Sequence, residues 1–508
     1  RREGGLDAAG ETRSVEPYGE RGLVPRLRVS RGTRYRVGHL EVADATVFGA
    51  DALRAEIPLR EGDWFRAEEL ERGIRDLRIY YSDRGLYLRD VEVDTTANDA
   101  AGIVHLRLRI QEGVPFHVDE VEFEGNRTTR DRVLRRYIQV FPGETFHYAK
   151  VEDSIRRLRN LRYFSDIEWN LGPPEPGGGR DLLFYVEEDP DADPARTYRT
   201  GQVGLSAGIS DELGTQLQLM YMERNFSLAR LRRWPYSRGD GQFLRFRAAP
   251  GTRRSSYQVE FREPWLLDYP YGMGIEADRV DRTYSSYDLR STGIRLTFDR
   301  RWELGGRSEV FRNPPVLRAG LTGGIERVGF NDVEADAPNE VKRQSGTLRI
   351  HTLSPFVHLD ARDDPYTPTE GWDASLRHDF AGAFLGGEDF WRSSAEAAVH
   401  LPLVENRDRL RHVLHIGARA GWAEGHSGNR TIPFSERFFA GGSSTIRGFD
   451  FRTVGPREGT EPRGGTFRWL GTAEYDVPSP VLSGEVFRIA GFFDAGTVHE
   501  RTGRNPGR

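Results

Sequence analysis

Hydrophobic and polar positions follow different patterns in the earlier and the later part of the chain. Up to about residue 190, short alternating segments are mixed with segments whose apolar residues recur every three or four positions, as in an amphipathic helix. Leu70, Ile74 and Leu77 form one such face, and Val151 and Ile155 belong to another. After about residue 195 only alternation remains. The pattern therefore predicts an α+β region followed by an all-β region.

The first region contains an internal repeat. Residues 24–42 superimpose on residues 105–123 with a constant offset of 81, and each copy is an alternating strand, a glycine turn and a second alternating strand. Two helical segments separate the copies, so the repeating order is β-α-α-β-β. This order predicts complete units over residues 34–113 and 114–190. Residues 1–33 are interpreted as the back half of a further unit upstream.

Alternation continues through the second region in thirteen runs separated by turn residues. The predicted strands are Thr200–Ile209, Thr215–Glu223, Gln242–Ala249, Ser256–Arg262, Tyr271–Arg282, Tyr287–Asp299, Leu317–Gly329, Gln344–Leu359, Gly371–Asp379, Phe390–His400, Arg411–Trp422, Phe467–Pro478 and Glu485–Val498. Weak alternation over about ten residues with aromatic ends is typical of transmembrane β-barrels. Residues 191–508 are therefore predicted to form an antiparallel barrel. An array of soluble β-sandwiches is the alternative.

Composition excludes several classes of function. The formal net charge of −5 provides no basic field for nucleic acid, and the absence of cysteine excludes a disulfide or thiolate–metal framework. The histidines show no metal-ligand spacing, so neither a metal nor another cofactor is expected. Gly204-x-Ser206-x-Gly208 matches a nucleophile elbow, but it lies within one alternating strand and no helix follows it. We therefore expect a protein that is not an enzyme.

The longest turn-rich interval of the second region is centred on residues 433–449. It contains Gly441, Gly442, Arg447, Gly448 and Phe449. Loops of this length are usually functional or disordered, and this one is too rich in aromatic residues for disorder. An arginine among small and aromatic residues indicates a confined polar space that also contains an acid.

The two strands predicted after this interval each carry an acid on a polar face. Thr472, Glu474 and Asp476 share one face of their strand, and this polar face is predicted to point into the barrel. Asp494 shares a strand face with Phe492 and Gly496, and it points inward if the residues between them face lipid.

Each β-α-α-β-β unit resembles the polypeptide-transport-associated (POTRA) domain. The resemblance is carried by Val118–Asn126, which ends in Phe-Glu-Gly-Asn, by Leu161–Ser165 and by Tyr80–Tyr87. A generic α+β repeat that acts only as a spacer is the alternative. In either case, a short sheet with an open edge can accept an added strand from an extended peptide.

The second region resembles the bacterial surface-antigen barrel of the BamA/TamA outer-membrane assembly superfamily. This resemblance is carried by Glu436–Phe449, by Phe492-x-Asp494-x-Gly496, by Phe261–Leu267 at the end of a predicted strand, and by a proline-rich turn before another predicted strand. The turn comprises Asp360, Arg362, Asp363, Pro365, Pro368 and Gly371. The resemblance implies a sixteen-stranded barrel of which about thirteen strands are present, with the last strands missing. Because residues 1–33 are interpreted as the back half of an upstream unit, the chain is expected to be truncated at both ends.

The resemblance also implies a role for the loop. The Arg447-Gly448-Phe449 loop would fold into the lumen, where Arg447 would pair with Asp494 and with Glu474. An ordinary lumen ion pair with no role in gating is the alternative.

The function implied by the resemblance is non-enzymatic assembly of β-barrel proteins in the outer membrane of a Gram-negative-type bacterium. POTRA domains in the periplasm would capture unfolded outer-membrane or secreted polypeptides. Outer-membrane lipid and an accessory subunit on the periplasmic or inner-membrane side are the other expected partners; nucleic acid is not. The motifs slightly favour a TamA-like over a BamA-like branch. The alternatives are a two-partner-secretion exporter and a passive porin or receptor.

Overall fold

The structure, a computed structural model, divides the chain into two compact units, residues 1–199 and 200–508. It describes residues 10–17, 23–29, 34–188, 200–210, 212–234, 237–305, 314–365, 367–382, 385–405, 410–426, 431–479 and 487–500. Residues 501–508 and most of the linker between the two units lie outside this set. No helix in the described part of the chain is long and apolar enough to cross a membrane.

The first unit contains two complete copies of the predicted repeat. The first copy comprises β3 (Arg36–Ala43), α1 (Ala50–Ala55), α2 (Ala67–Ser82), β4 (Tyr87–Asn98) and β5 (Ile103–Gly113). The second comprises β6 (Val118–Glu124), α3 (Asp131–Arg135), α4 (Tyr148–Leu161), β7 (Asp166–Leu171) and β8 (Arg180–Glu187). The β-α-α-β-β order is thus confirmed.

Two further strands precede these copies. β1 (Gly10–Pro17) and β2 (Leu23–Val29) pair antiparallel. The upstream half-unit interpreted over residues 1–33 coincides with this pair, and the rest of that segment lies outside the described residues.

In both copies the last strand lies at the centre of the sheet. The orders are β3-β5-β4 and β6-β8-β7, and the central strand runs parallel to the first strand and antiparallel to its other neighbour. The first and second strands of each copy, β3 and β4 or β6 and β7, are therefore edge strands among the described residues. The apolar faces of α2 and α4 cover these sheets: Leu77 and Tyr81 are fully buried in the first core, and Leu158 and Phe184 in the second.

A glycine in the Phe-Glu-Gly-Asn segment allows β6 to end close to β8. Gly125 has φ +91°, and a Cβ on it would lie 2.0 Å from the carbonyl oxygen of Val186. Any other residue would have to push these two strands apart, which explains the glycine in the second copy.

In the described residues the second unit contains one large antiparallel sheet of thirteen strands, which confirms the predicted number. The strands are β9 (Gly201–Ser210), β10 (Gly214–Phe226), β11 (Gln242–Ala249), β12 (Arg254–Glu263), β13 (Tyr271–Thr283), β14 (Asp288–Glu303), β15 (Val316–Asn331), β16 (Gly346–Asp360), β17 (Gly371–Ala381), β18 (Phe390–Glu405), β19 (Arg411–Gly425), β22 (Phe467–Pro478) and β23 (Arg488–His499). Sequence neighbours pair throughout, and β9 and β23 are the two edges of the sheet in the described part of the chain.

The connections between these strands contain a few short elements. They are α5 (Asn339–Arg343), the two-residue strands β20 (Arg457–Glu458) and β21 (Glu461–Pro462), and 3-10 turns at Leu228–Arg233, Leu266–Asp268 and Phe434–Glu436. Because the strands alternate in direction, successive connections lie at opposite ends of the sheet.

The two faces of this sheet differ in polarity. Val203, Leu205 and Ile209 of β9 are 74%, 71% and 84% exposed, and they share a face, which we call the outer face. The opposite, inner face carries polar side chains such as Asp299, which is buried beneath arginines. An apolar exterior around a polar interior is the arrangement of a membrane barrel wall.

Candidate functional site

The connection between β19 and β22 packs as an ordered loop against the inner face. Phe434, Phe438 and Ile446 of the loop are buried in one apolar cluster that also includes Phe330 of β15 and Leu470 of β22. This packing fixes the path of the loop, so that its polar groups can be held in defined positions against the strands.

Arg447 is bound by side chains of two neighbouring strands. Its Nε and Nη2 donate to the two carboxylate oxygens of Asp494 on β23 at 2.7 and 2.8 Å, and its backbone N–H donates to the same carboxylate at 3.0 Å. Its Nη1 donates to Glu474 on β22, and its Nη2 donates to the hydroxyl of Thr472 at 3.1 Å. The Phe492 ring centroid is 3.6 Å from the guanidinium carbon. Arg447, Asp494, Glu474, Thr472 and Phe492 thus form one cluster.

The acid at the centre of this cluster is almost completely buried. The side chain of Asp494 is 3% exposed, whereas that of Arg447 is 27% exposed. Thr472 donates a further hydrogen bond of 2.7 Å to Asp494. Because the carboxylate accepts four hydrogen bonds, removal of the arginine would leave a buried and uncompensated charge.

Glycines provide the close approaches that this geometry needs. Gly441 and Gly442 have φ +105° and +99°, and a Cβ on Gly441 would lie 2.4 Å from the carbonyl oxygen of Asp450. On the strand side, a Cβ on Gly496 would lie 2.6 Å from the carbonyl oxygen of Trp469. Gly448 has φ +87° with open space around it, so it serves the turn rather than a contact.

Phe449 does not join the cluster. It is 58% exposed, although it directly follows Arg447-Gly448 in the predicted motif. Within the Arg447-Gly448-Phe449 motif, Arg447 therefore makes the contact with the inner face, and Phe449 remains exposed.

The cluster borders a polar cavity of about 390 Å³. Asp373, His400 and His415 line the cavity together with Arg447 and the two acids. Within it the two imidazoles are in direct contact, with their Nδ1 atoms 2.6 Å apart. The arrangement holds a loop by charge and geometry, and it leaves polar space beside the arginine.

A second ion-pair cluster connects the same loop to α5, and it was not predicted from the sequence. Glu340 of α5 accepts a hydrogen bond of 2.5 Å from Arg463 and lies 3.5 Å from Arg437, whose side chain is 2% exposed. Burial acts to raise the pKa of Glu340, but the hydrogen bond from Arg463 and the charges of the two arginines outweigh it and hold this pKa below its ordinary value. No sequence periodicity links a loop helix to a loop some hundred residues later, so the pattern contained no signal for it.

The predicted proline-rich turn joins β16 to β17 and is braced by its own acids. Arg362 donates to both carboxylate oxygens of Asp360 at 2.9 and 2.8 Å and lies 3.6 Å from Asp373. Asp363 accepts the backbone N–H groups of Thr369 and Glu370 at 2.9 and 3.1 Å. These contacts close the turn on itself.

Backbone constraints complete this turn. The carbonyl oxygen of Pro365 accepts a hydrogen bond from Arg362 at 3.4 Å, and Pro368 precedes the residue pair that enters β17. Gly371 has φ +110°, and a Cβ on it would lie 2.2 Å from the carbonyl oxygen of Ala361. The motif is therefore accounted for by turn geometry, and none of its hydrogen bonds reaches Arg447.

Two family models match the chain. The Omp85 superfamily domain matches residues 237–508, and the surface antigen variable number repeat (POTRA) matches residues 35–113 and 116–189. Together they cover both repeat units and most of the thirteen-stranded sheet.

Individual proteins give the same result. The chain is 25% identical over 450 residues to the outer membrane protein assembly factor BamA of Nitratidesulfovibrio vulgaris, covering 87% of this chain and 52% of that protein. It is 26% identical over 490 residues to BamA of Neorickettsia risticii, covering 95% of this chain and 61% of that protein. The chain thus spans little more than half the length of these curated relatives.

A solved structure shares the fold. The crystal structure of BamA from Haemophilus ducreyi lacking POTRA domains 1–3 matches with a TM-score of 0.59 at 19% identity, covering 92% of this chain and 88% of that one. At this identity the match shows the fold alone. With POTRA domains on the periplasmic side and a β-barrel domain in the outer membrane, the chain belongs to the Omp85 superfamily.

Proposed function

We propose that this protein inserts β-barrel proteins into the outer membrane without catalysing a chemical reaction. The observation that carries the proposal is the presence of POTRA units and an Omp85 domain in a single chain. The curated relatives with this combination are named outer membrane protein assembly factors. Unfolded outer-membrane polypeptides are the proposed substrates, and an accessory subunit on the periplasmic or inner-membrane side is a proposed partner.

Substrate capture is assigned to the edge strands of the POTRA sheets. An edge strand presents unpaired backbone groups with which an extended polypeptide can pair, whatever its side chains. β4 is the longest edge strand of the two copies, with twelve residues. Capture by backbone pairing suits a factor that must accept many different unfolded barrel sequences.

Arg447 is assigned the task of fixing the loop to the barrel wall. Its partners lie on two adjacent strands, β22 and β23, so one side chain couples the position of the loop to the pairing of that part of the wall. Loss of the arginine would free the loop and leave the Asp494 charge buried, with a cost of about 3–5 kcal/mol in local stability.

The proposal is tested with the full-length protein reconstituted in liposomes and supplied with a urea-unfolded barrel substrate. The appearance of the heat-modifiable, protease-resistant substrate is timed for wild type, Arg447→Ala and Arg457→Ala. Arg457 is a matched control because it is an exposed arginine of the same loop that bonds only a backbone carbonyl. Wild type and Arg457→Ala should accelerate folding, and Arg447→Ala should lose most of the acceleration.

Other outcomes separate the competing functions. Substrate found protected inside the vesicles, without faster folding, would support a polypeptide exporter instead. A large conductance with neither effect would support a passive pore. Equal acceleration by all three proteins would leave the assembly function standing and remove the role given to Arg447.

Within the assembly family, we infer a TamA-like branch from the run Arg437–Gly442 and from Gly455-Pro456. The curated relatives described above are BamA proteins, so the branch needs its own test. Full-length protein should relieve the growth defects of a strain that lacks TamA and should fail to replace depleted BamA. Rescue of the BamA-depleted strain would assign the chain to the BamA branch.

A further inference from the structure

The connection between β10 and β11, described at residues 227–234 and 237–241, folds back over the outer face of the sheet. Glu223 of β10 pairs with Gly201 of β9, and alternation from the exposed Val203 places both on the outer face. Arg238 of the connection lies there too, with its Nε 2.7 Å from the Glu223 carboxylate, whose side chain is only 1% exposed. The connection thus covers a carboxylate that would otherwise face lipid.

On the side of the connection that packs against the sheet, the polar groups are hydrogen-bonded to one another. Ser227 donates to Asp240 at 2.6 Å, and Ser237 donates to the carbonyl oxygen of Arg230 at 2.9 Å. The backbone N–H of Gly241 donates to the side chain of Asn225 at 2.9 Å. The two serines, Asn225 and Asp240 are at most 3% exposed. A loop at the boundary of a hydrocarbon layer needs this internal pairing, because lipid offers no replacement hydrogen bonds.

The opposite side of the connection is apolar and basic. Leu228, Leu231 and Trp234 are 50%, 49% and 49% exposed. Arg232 and Arg233 are exposed between them, and neither has an ion-pair partner among the described residues. Exposed leucine and tryptophan next to unpaired arginine is the composition of elements that lie in a membrane interface.

This apolar surface is continuous with the membrane-facing wall. The ring of Trp234 makes an edge contact with that of Tyr221, with centroids 5.2 Å apart. Tyr221 pairs with Val203 and therefore belongs to the outer face. Arg238 and Glu223 lie beside Gly201, the first residue of β9, so the connection is at the end where the chain enters the sheet. Because the chain enters from the periplasmic POTRA domains, this is the periplasmic end.

We propose that the described parts of this connection, residues 227–234 and 237–241, form a lipid-binding element in the periplasmic leaflet of the outer membrane. Leu228, Leu231 and Trp234 enter the boundary between acyl chains and headgroups, and Arg232 and Arg233 bind the phosphates of phospholipid headgroups. The element fixes the depth of β9 and β10 in the bilayer. The inference depends on the membrane location of the barrel and is independent of the assembly activity proposed above.

The depth of the element can be measured because the chain contains no cysteine. Leu231→Cys is labelled with a small fluorophore in the full-length protein, reconstituted in phosphatidylcholine vesicles that contain phosphatidylglycerol. Leu205→Cys marks the lipid-facing wall, and Val114→Cys, 83% exposed, marks water. Nitroxide-labelled lipid should quench the labels at 231 and 205, and iodide should quench only the label at 114.

Two results would overturn the proposal. Iodide quenching at 231 as strong as at 114 would place the element in water. Protection of 231 from both quenchers would show that a protein surface covers it. Heat-modifiable migration of every labelled variant verifies that the barrel has folded before quenching is compared.

The headgroup contact is tested by charge. In the Leu231→Cys background, phosphatidylglycerol should raise the ratio of lipid-quenched to iodide-quenched label by about fivefold for each arginine in contact. The double change Arg232→Gln and Arg233→Gln should abolish this increase and keep the lipid quenching seen in phosphatidylcholine alone. The change Arg457→Gln, at the other end of the sheet, should leave the increase intact. An unchanged increase in the double variant would refute the assignment of the headgroup contact to these arginines.

Discussion

The two POTRA units bury apolar residues and expose charged ones, whereas the thirteen-stranded sheet exposes apolar residues on its outer face and buries charged ones on its inner face. In the POTRA units Leu182 and Phe184 are completely buried, and charged groups lie on the surface. In the sheet Leu205 and Ile209 are exposed on the outer face, and acids such as Asp299 are buried on the inner face. The first region is therefore stabilised by apolar burial from water, whereas the inner face of the second relies on buried ion pairs in addition to the apolar cluster around Phe434.

The ion pairs show the same difference. In α2, Arg66 and Glu69 form a pair whose side chains are 53% and 25% exposed. On the inner face, Asp299 has a 1% exposed side chain between Arg262 and Arg318. Exposed pairs contribute little, but a buried carboxylate held by two planar guanidinium groups constrains three strands at once. Nearly all basic residues of this chain are arginine, and arginine is the cation suited to that task.

The largest effect should come from the POTRA core. Phe184→Ala removes a fully buried ring that stacks on Phe123, with centroids 5.6 Å apart. We expect a loss of about 3–5 kcal/mol in the local free energy of unfolding, because the cavity cannot be filled. Hydrogen exchange of β8 peptides in the full chain measures this loss. Tyr185→Ala, on the other face and 39% exposed, is the control and should cost less than about 1 kcal/mol. Equal losses would mean that this core is not organised by burial.

The inner face of the sheet should respond most to loss of a charge. Asp299→Asn keeps the shape of the side chain but leaves Arg262 and Arg318 facing each other without a counter-charge. We expect a loss of about 2–4 kcal/mol in the local stability of β12 to β15, again from hydrogen exchange.

A matched acid shows whether burial causes this effect. Asp281 also has two arginine partners, Arg279 and Arg290, but its side chain is 30% exposed. Asp281→Asn should therefore cost less than about 1 kcal/mol. If both substitutions cost the same, the contrast drawn between buried and exposed pairs fails.

Much of the fold could be predicted from sequence because periodicity is a local property. The strands Gln242–Ala249 and Phe467–Pro478 begin and end where the pattern placed them, and α4 contains the helical face to which Val151 and Ile155 belong. The inward face of Glu474 followed from alternation along one strand. The identity of its partner, Arg447, came instead from the resemblance, because alternation along a strand does not indicate which loop contacts a given face.

Features that depend on contacts between distant segments could not be predicted. The central position of β5 and β8 is set by which strands pair. The fold-back of residues 227–241 was missed because its leucines and arginines are too few to form a period. It is visible only through the buried carboxylate beneath it.

A smaller effect is expected at Glu340, where α5 contacts the loop between β19 and β22. Because the folded pKa of Glu340 lies below its ordinary value, the carboxylate stabilises the α5 contact at neutral pH. That contribution is complete above the unfolded pKa and is lost as the pH falls through the folded pKa. Glu340→Gln should cost about 1–2 kcal/mol at neutral pH, since the hydrogen bond to Arg463 loses its charge.

The pH dependence of this contact is measured as the difference between wild type and Glu340→Gln at each pH. Hydrogen exchange of peptides over α5 and residues 458–463 gives the two local stabilities, and the intrinsic pH dependence of exchange cancels. The difference should shrink as the pH falls below the ordinary pKa of glutamate. A difference that stays constant into acid would show that Glu340 acts by packing and not by charge.

The smallest effect should come from the exposed pair on α2. Glu69→Ala removes the partner of Arg66, which lies 2.8 Å away at the start of the helix. Water already solvates both groups, so we expect a loss of about 0.2–0.5 kcal/mol in the stability of α2 peptides, and a smaller one at high salt. A loss above about 1 kcal/mol that persists at high salt would show that charge also holds the POTRA fold. The contrast between the two regions would then be one of degree, because in both of them arginine would fix structure that apolar packing leaves free.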